Sequence, residues 1–264
     1  MLSKSLAQLV RSLHQKKYRQ QEQLFLVENG KSVQEVLASD FRVDLLLCTE
    51  AFYKENAGGA DRQRCRVEMV TADELTRVGT LESNNAAIAV VRMRPNVPSP
   101  TPLSRSANWT LVLDDVRDPG NLGTILRIAD WYGIDTILCS ETTADVYNPK
   151  VISASKGSFT RIQWWYGDVV TVLKPTKLPI LGAFLDGDDV HTLPASQLPA
   201  GYVVMGNEAN GIGPALEPLV TQRITIPRYG AAESLNVGIA TAVILDNLRR
   251  IQPPPGFLLA KEGV

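Results

Sequence analysis

Three polar segments, each at the end of an apolar run, contain the side chains best suited to chemistry. They span residues 115–129, 203–213 and 224–238. In the second segment, three glycines and two asparagines within eight residues expose backbone groups and let a ligand lie close to the chain. The candidates are an arginine, a carboxylate and small polar residues: Asn121, Arg127, Glu208, Ser234 and Asn236.

Each segment also has a plainer interpretation. The first is a turn followed by a helix with a surface arginine, and the second is a flexible loop with a solvated Glu208. Ser234 and Asn236 have the residue types that cap helices. The glycines match neither a dinucleotide fingerprint nor a phosphate loop. Taken together, however, three such loops predict one polar cleft more specifically than any one of them.

The elements that must position these segments follow from the hydrophobic pattern after residue 108. Apolar strands alternate with helices, which predicts an α/β domain with a mainly parallel sheet covered on both faces. In such sheets ligands bind at the carboxyl ends of strands. The predicted strands are 110–114, 136–140, 162–166, 179–185, 202–206 and 223–226; the predicted helices are 122–132, 149–156 and 235–250. Ser234 is expected to cap the last helix.

A smaller α/β domain is predicted before this region. Its strands are 25–28, 43–48 and 86–92, and its helix is 31–38. A stretch rich in proline and serine follows and is typical of an extended linker. The predicted domain boundaries are therefore 1–94, 95–107 for the linker, and 108–264.

The composition limits the classes of protein. The 264 residues include 27 basic and 28 acidic side chains, 44% hydrophobic residues and 21% charged residues, which is typical of a globular protein. Three scattered cysteines and two histidines argue against a disulfide framework, a zinc finger and a multi-histidine metal site. With no membrane-length apolar run and no secretory segment, the expectation is a soluble cytoplasmic protein without a metal.

The N-terminal residues 1–21 contain basic side chains and no acid. The basic residues alternate with His14 and Tyr18. This pattern favours RNA binding, since phosphate contacts and base stacking both become possible. The alternative is a solvated helix face. The candidate RNA-binding residues are Arg11, His14, Lys16, Lys17, Tyr18 and Arg19.

A second polar group is interpreted as an acidic surface loop rather than a metal or acid–base site. It consists of Asp186, Asp188, Asp189 and His191.

The three polar segments resemble motifs 1, 2 and 3 of the SpoU-type (TrmH-like) RNA 2′-O-ribose methyltransferases of the SPOUT superfamily. The resemblance covers about residues 108–251. Residues 14–94, with LHQKKYR and FLVENGKSVQEVL, also resemble the ribosomal-protein-like substrate-binding domain of that family. Two departures are Glu28-Asn29-Gly30 in place of Glu-Gly, and Arg228 in place of a methionine after Ile-Pro. The polar residues of the motifs remain intact.

The resemblance implies a C-terminal trefoil knot, S-adenosylmethionine bent into that knot, and a homodimer whose subunits both build each active site. By similarity Gly206, Ile226 and Leu235 bind the cofactor, Gly206 because a side chain would collide with the ligand. Core packing is the alternative role of Ile226 and Leu235.

The resemblance also assigns roles to the polar residues. Arg127 is the family's candidate for activating the 2′-hydroxyl group. Because arginine is permanently charged, we expect it instead to hold the adjacent phosphate while another acceptor or water takes the proton. Ser234 and Asn236 would orient Arg127 and the ribose, and Asn121 with Glu208 would brace the loops and the partner subunit.

The implied function is methylation of a ribose 2′-hydroxyl group in RNA. Because the extra N-terminal domain resembles ribosomal-RNA-directed members, ribosomal RNA is favoured over transfer RNA. Two other classes stay open: a non-catalytic RNA-binding or chaperone protein that keeps the fold, and another nucleotide-binding α/β enzyme. The missing phosphate-loop and dinucleotide fingerprints disfavour the last.

Overall fold

The computed structural model describes residues 2–97, 109–194 and 200–250. The chain forms two compact units. The first takes its residues from Met1–Pro95, Leu122–Arg127 and Asp145–Arg161, and the second from Asn96–Asn121, Ile128–Ala144 and Ile162–Val264. Two short stretches that follow residue 108 therefore pack with the N-terminal part.

The N-terminal part of the first unit contains a four-stranded sheet in the order β1-β4-β2-β3. Strand β4 is antiparallel to β1 and β2, and β3 is parallel to β2. The predicted strands agree with β1, β2 and β4 to within one residue, whereas β3 was not predicted. The strands are β1 Leu24–Glu28, β2 Val43–Cys48, β3 Arg66–Met69 and β4 Ala87–Arg92.

Five helices accompany this sheet, and each of four begins where a polar side chain accepts a hydrogen bond from the first turn. Ser3, Asn29, Thr49 and Thr71 are these capping residues. Only α3 was predicted, because the others carry few buried apolar residues. The helices are α1 Lys4–Ser12, α2 Lys16–Glu22, α3 Gly30–Ala38, α4 Glu50–Gln63 and α5 Ala72–Val78.

The second unit contains a six-stranded sheet in the order β10-β8-β9-β5-β6-β7, in which every pair is parallel. The central strands β5 and β9 are buried along their whole length, which explains their unbroken apolar sequence. The predicted α/β class with a mainly parallel sheet is confirmed. The strands are β5 Trp109–Leu113, β6 Thr136–Cys139, β7 Gln163–Tyr166, β8 Ile180–Asp189, β9 Gly201–Met205 and β10 Gln222–Thr225.

Within the described residues, four α-helices follow these strands: α6 Pro119–Trp131, α7 Pro149–Ser155, α8 Val169–Leu173 and α9 Val237–Arg250. The predicted start of α6 at residue 122 is wrong, because Asp118 caps the helix and proline occupies its first turn. The predicted start of α9 is also wrong. Asn236, not Ser234, accepts hydrogen bonds from the backbone N–H groups of Gly238 (3.0 Å) and Ile239 (3.3 Å).

At the described start of the predicted linker, Asn96 is held by two hydrogen bonds. Asn96 Oδ1 accepts from the N–H of Tyr166 (2.9 Å), and its Nδ2 donates to the Tyr166 carbonyl oxygen (2.8 Å). This amide therefore pairs with edge strand β7. Residues 98–107 of the predicted linker lie outside the described residues.

The acidic residues near position 186 do not form a loop as expected. Strand β8 continues to Asp189, so Asp186 and Asp188 lie within it. Asp186 pairs with Arg223 at 2.6 Å, and Gln222 donates to Asp188 at 2.8 Å.

In the described part of the chain, no helix is long and apolar enough to cross a membrane.

Candidate active site

The loop between β5 and α6 is fixed by its own side chains. Asp115 adopts a left-handed backbone conformation (φ 60°), and its N–H donates to Ser140 Oγ at 2.8 Å. The Arg117 guanidinium donates to Asp115 at 2.7 Å and holds the pKa of this carboxyl group below its ordinary value. Asp118 accepts from the N–H of Asn121 at 2.8 Å, which sets the first turn of α6.

The loop after β9 is organised by Asn207. Its Oδ1 accepts from the N–H groups of Ala209 (2.9 Å) and Asn210 (3.2 Å), and its Nδ2 donates to the Asp115 carbonyl oxygen (2.8 Å). One side chain thus shapes its own loop and joins it to the loop after β5. A second link comes from Gly213, whose N–H donates to Asp114 at 2.7 Å.

Gly206 is required by the backbone of this loop. A Cβ at this position would lie 2.2 Å from the carbonyl carbon of Gly211 and 2.4 Å from the N of Ile212. The sequence-based reason for glycine, a collision with the ligand, is therefore not needed. The close approach of two backbone segments already excludes a side chain.

A chain of hydrogen bonds joins the three predicted segments. The Nδ2 group of Asn121 donates to Glu208 Oε1, and Asn236 Nδ2 donates to Asn121 Oδ1 at 2.8 Å. Each residue comes from a different segment, and each lies where solvent and ligands reach it. The ends of three parallel strands therefore converge on one polar cluster, as the sequence predicted.

The other predicted site residues lie on the same helix and loops but take no part in this series of hydrogen bonds. Arg127 is an exposed residue of α6, six positions after Asn121. Ser234 is exposed and Ile226 is half-buried. Leu235 is 48% exposed, so simple core packing does not explain it.

Comparison with known proteins supports the similarity. Residues 108–246 match the model of the SpoU rRNA Methylase family, and residues 6–89 match the MRM3-like substrate binding domain. The chain belongs to the SpoU rRNA methylase family. All three polar segments lie within the matched range, and the protein is an RNA methyltransferase by family.

Individual SpoU relatives match nearly the whole chain. The 23S rRNA (guanosine(2553)-2′-O)-methyltransferase RlmP of Bacillus subtilis is 31% identical over 90% of this chain and 94% of its own. A solved structure from Porphyromonas gingivalis, assigned to the TrmH family of RNA methyltransferases, has a TM-score of 0.84 at 36% identity, covering 95% and 99% of the two chains. An AdoMet-bound rRNA methyltransferase from Sinorhizobium meliloti has a TM-score of 0.83 at 26% identity, covering 95% and 96%.

The predicted RNA-binding residues of this SpoU protein do not all lie on the surface. Arg11, Lys16 and Lys17 are exposed, and Lys17 Nζ lies 5.8 Å from the centre of the Tyr18 ring. Arg19 is only 2% exposed. It donates to the carbonyl oxygens of Leu13 and His14 and pairs with Asp145, so its guanidinium group faces protein. His14 and Tyr18 are half-buried.

The structure also contains a groove beside these basic residues, which the sequence analysis did not predict. It has a volume of about 570 Å³, and its lining includes Lys4, Gln8, Arg11, Gln15 and Tyr18. Its basic and amide side chains suit a phosphate backbone. The sequence signal was present in Lys4, which belongs to the same acid-free stretch.

Sequence reasoning also missed residues that organise the SpoU site. Asp114, Asp118 and Asn207 shape its loops, yet none was a candidate. The Asp-Pro dipeptide at 118–119 is a signal for a helix start that could have identified Asp118. Asp114 and Asn207 bond to residues 99 and 92 positions away, respectively. Among the described residues no group of three or more His, Cys, Asp or Glu side chains could hold a metal ion.

Proposed function

We propose that this protein transfers the methyl group of S-adenosylmethionine to a ribose 2′-hydroxyl group of ribosomal RNA. The observation that carries the proposal is the hydrogen-bond chain from Glu208 through Asn121 to Asn236, which joins all three SpoU motifs. Family membership supports the reaction class, and the 23S rRNA specificity named for the Bacillus subtilis relative supports ribosomal RNA.

The residues around the cluster fit S-adenosylmethionine. A cofactor with an adenine ring and a methionine chain needs apolar walls and accessible backbone groups. Leu235 and Ile226 expose apolar surface, and the loop from Gly206 to Gly213 presents backbone. When bound, the sulfonium group supplies an electrophilic methyl group. The AdoMet-bound neighbour from Sinorhizobium meliloti supports the same choice.

The roles of the polar residues follow from their chemistry. Arg127 is a permanent cation with a planar fork, so it holds a phosphate next to the reacting ribose and aligns the 2′-hydroxyl group. The proton of that hydroxyl group goes to another acceptor or to water. Ser234, exposed between Leu235 and Glu233, offers a hydroxyl group to the ribose. Asn121, Glu208 and Asn236 hold the three loops together.

The N-terminal part is proposed to bind the RNA. The match of residues 6–89 to a substrate-binding domain supports this role, as do the exposed Arg11, Lys16 and Lys17. The domain boundaries 1–94, 95–107 and 108–264 remain part of the proposal. A ribosomal RNA substrate would support a cytoplasmic location, which is part of the same proposal.

A homodimer is proposed as the working form. Trp131 at the end of α6 is 84% exposed, and Ile239 on α9 is 53% exposed. Contact with a second copy would remove this apolar surface from water. Leu235, beside the active-site cluster, belongs to the same set of exposed apolar residues, which agrees with a partner copy close to the site.

Transfer of a labelled methyl group from S-adenosylmethionine tests the function. Unmodified ribosomal RNA and transfer RNA are offered separately, and the digested RNA is analysed by nucleoside mass spectrometry. We expect the label on the ribose of a nucleoside from ribosomal RNA. Label on a base would contradict the reaction, and label on transfer RNA would contradict the substrate. RNA binding with no transfer would favour the non-catalytic alternative.

Salt dependence tests the RNA surface. Phosphate contacts release counterions, so each contact that is lost reduces the slope of log affinity against log salt by about 0.7–0.9. Replacing Lys16 and Lys17 together by glutamine should therefore lower RNA affinity and flatten the slope by about 1.5. The matched control is Lys54→Gln, because Lys54 is paired with Glu50 on α4. Equal slopes for wild type and the double variant would remove this surface from RNA binding.

A further inference from the structure

A buried ion pair joins helix α2 to the segment before α7. Arg19 Nη2 lies 2.7 Å from Asp145 Oδ2, with only 2% of the arginine side chain and 18% of the aspartate side chain exposed. Arg19 Nη1 donates to the carbonyl oxygens of Leu13 (3.1 Å) and His14 (2.9 Å). The guanidinium group thus fastens the first two helices to a segment more than a hundred residues later.

Aromatic packing holds the same segment to strand β1. The ring of Tyr147 lies 4.8 Å from that of Phe25, and the ring of Phe159 lies 6.0 Å from it. Asp145 Oδ1 also accepts from the N–H of Tyr147 at 3.0 Å, so the ion pair and the aromatic contact share one turn of chain. Residues 145–161 are therefore fixed to the N-terminal part at both ends.

Helix α7, inside this segment, packs directly on helix α6. A Cβ at Gly123 would lie 2.6 Å from the Cβ of Ala154 and 2.6 Å from the carbonyl oxygen of Val151. Gly123 brings no side chain of its own to this close contact, so a shift of α7 is passed to α6 without a compressible layer. Arg127 lies one helical turn after Gly123 and is displaced with it.

We propose that Arg19 is a positioning residue for methyl transfer: through Asp145 and α7 it fixes the turn of α6 that carries Arg127. The RNA-binding part of the chain then determines where the phosphate-holding guanidinium group stands. The inference rests on the proposed function for the role of Arg127. It differs from the sequence-based role of Arg19, because a buried guanidinium group with protein partners does not contact RNA.

Kinetics of the Arg19→Gln and Asp145→Asn variants distinguish positioning from RNA contact. A displaced Arg127 lowers kcat by about 10²-fold, since small misplacements of a positioned group have effects of this size. The KM for RNA, the salt slope and the Kd for S-adenosylmethionine should stay at wild-type values. Because both residues act through one pair, the double variant should be no slower than the slower single variant.

Arg161→Gln is the matched control. Arg161 pairs with Glu35 at 2.6 Å and joins the same two parts of the chain, but both side chains are partly exposed. An exposed pair contributes little, so kcat should stay within about twofold of wild type. A loss as large as that of Arg19→Gln would show that any contact between these parts matters, which would overturn the specific role of Arg19.

Hydrogen–deuterium exchange on the full chain tests the coupling without catalysis, using Arg19→Lys, which keeps the charge but loses the fork. We expect faster exchange in residues 119–131 and 145–161 and unchanged exchange in α9. Unchanged exchange in 119–131, or a flattened RNA salt slope with kcat retained, would overturn the proposal. If wild type transfers no methyl group, the proposed function fails, whereas the exchange result still decides whether Arg19 positions α6.

Discussion

Asn121 has the side chain that the centre of this site requires. Its Nδ2 donates to Glu208 and its Oδ1 accepts from Asn236. Among small side chains only an amide offers a donor and an acceptor on opposite sides. An aspartate would place a second carboxylate against Glu208, and an alanine would leave both neighbours without this partner.

Arg127→Ala tests the chemistry at the level of one residue. The variant loses the group proposed to hold the phosphate and align the hydroxyl group, so turnover should fall by at least about 10²-fold. Titration calorimetry should give a wild-type Kd for S-adenosylmethionine, because Arg127 is not among the residues proposed to bind the cofactor. Turnover near that of wild type would remove Arg127 from the mechanism.

Gly206→Ala tests the close backbone approach in the loop after β9. The added Cβ meets the Gly211 backbone at 2.2 Å, so the loop must move. We expect a loss of about 3 kcal/mol in the free energy of unfolding, together with weaker S-adenosylmethionine binding. Denaturant titration and calorimetry measure both.

The matched control is Gly230→Ala, in the loop after β10. A Cβ there meets nothing within 4 Å, so its effect should stay within about 0.5 kcal/mol. Equal stability of the two variants would show that the Gly206 contact is not required.

The sequence predicted that the three loops converge but not how they are held, and only three of its five polar candidates are joined by hydrogen bonds. Asn121, Glu208 and Asn236 each follow an apolar strand, and parallel strands bring such positions together. The bonds of Asn207 and Asp114 link loops whose separation in the sequence hides them. The burial of Arg19 was not predicted, because a basic residue in a basic stretch has the same sequence signature whether it faces water or a distant carboxylate.

At the scale of elements, strands were easier to predict than helices. The continuous apolar runs of β5 and β9 identify buried strands directly, whereas α4 buries only Phe52 and Ala60 and gives no clear periodic pattern. Pro119-Gly120 was interpreted as a turn, but Asp118 caps the helix and proline fits its first turn. Local capping chemistry, rather than hydrophobic period, decides these helix starts.

Asn236 both caps α9 and contacts Asn121, and Asn236→Asp separates the two roles. Aspartate caps helices as well as asparagine does, so thermal stability should stay near that of wild type. The donor to Asn121 is lost, and a hydrogen bond worth about 1–1.5 kcal/mol corresponds to about a tenfold loss of turnover.

Asn236→Ala removes the cap as well and should cost about 1 kcal/mol of stability in addition. Melting curves and methyl-transfer rates of both variants measure these effects. A fully active Asn236→Asp variant would contradict the role of the link between motifs.

At the scale of the whole molecule, the parallel sheet was predictable but its strand order was not. Strand β9 lies between β8 and β5, and this order depends on contacts between distant parts of the chain. The trefoil knot implied by the family resemblance stays a prediction. The assignment of residues 122–127 and 145–161 to the first unit was likewise invisible in the linear pattern.

The oligomeric state tests the proposed dimer. Replacing Trp131 and Ile239 by aspartate places a charge at each of these two exposed apolar positions, so the double variant should elute as a monomer with lost methyl transfer. Light scattering coupled to size-exclusion chromatography gives the mass. Leu185→Asp is the control, since Leu185 is an exposed apolar residue of β8 and belongs to neither helix. A monomeric, fully active wild type would contradict the dimer.

The convergence of three motifs on one cofactor site is tested most directly by hydrogen–deuterium exchange with and without S-adenosylmethionine. We predict that the cofactor slows exchange together in residues 206–213 and 226–236, with the start of α6 near Asn121 also protected. Protection confined to a single loop, or protection elsewhere in the chain with none in these segments, would contradict the account.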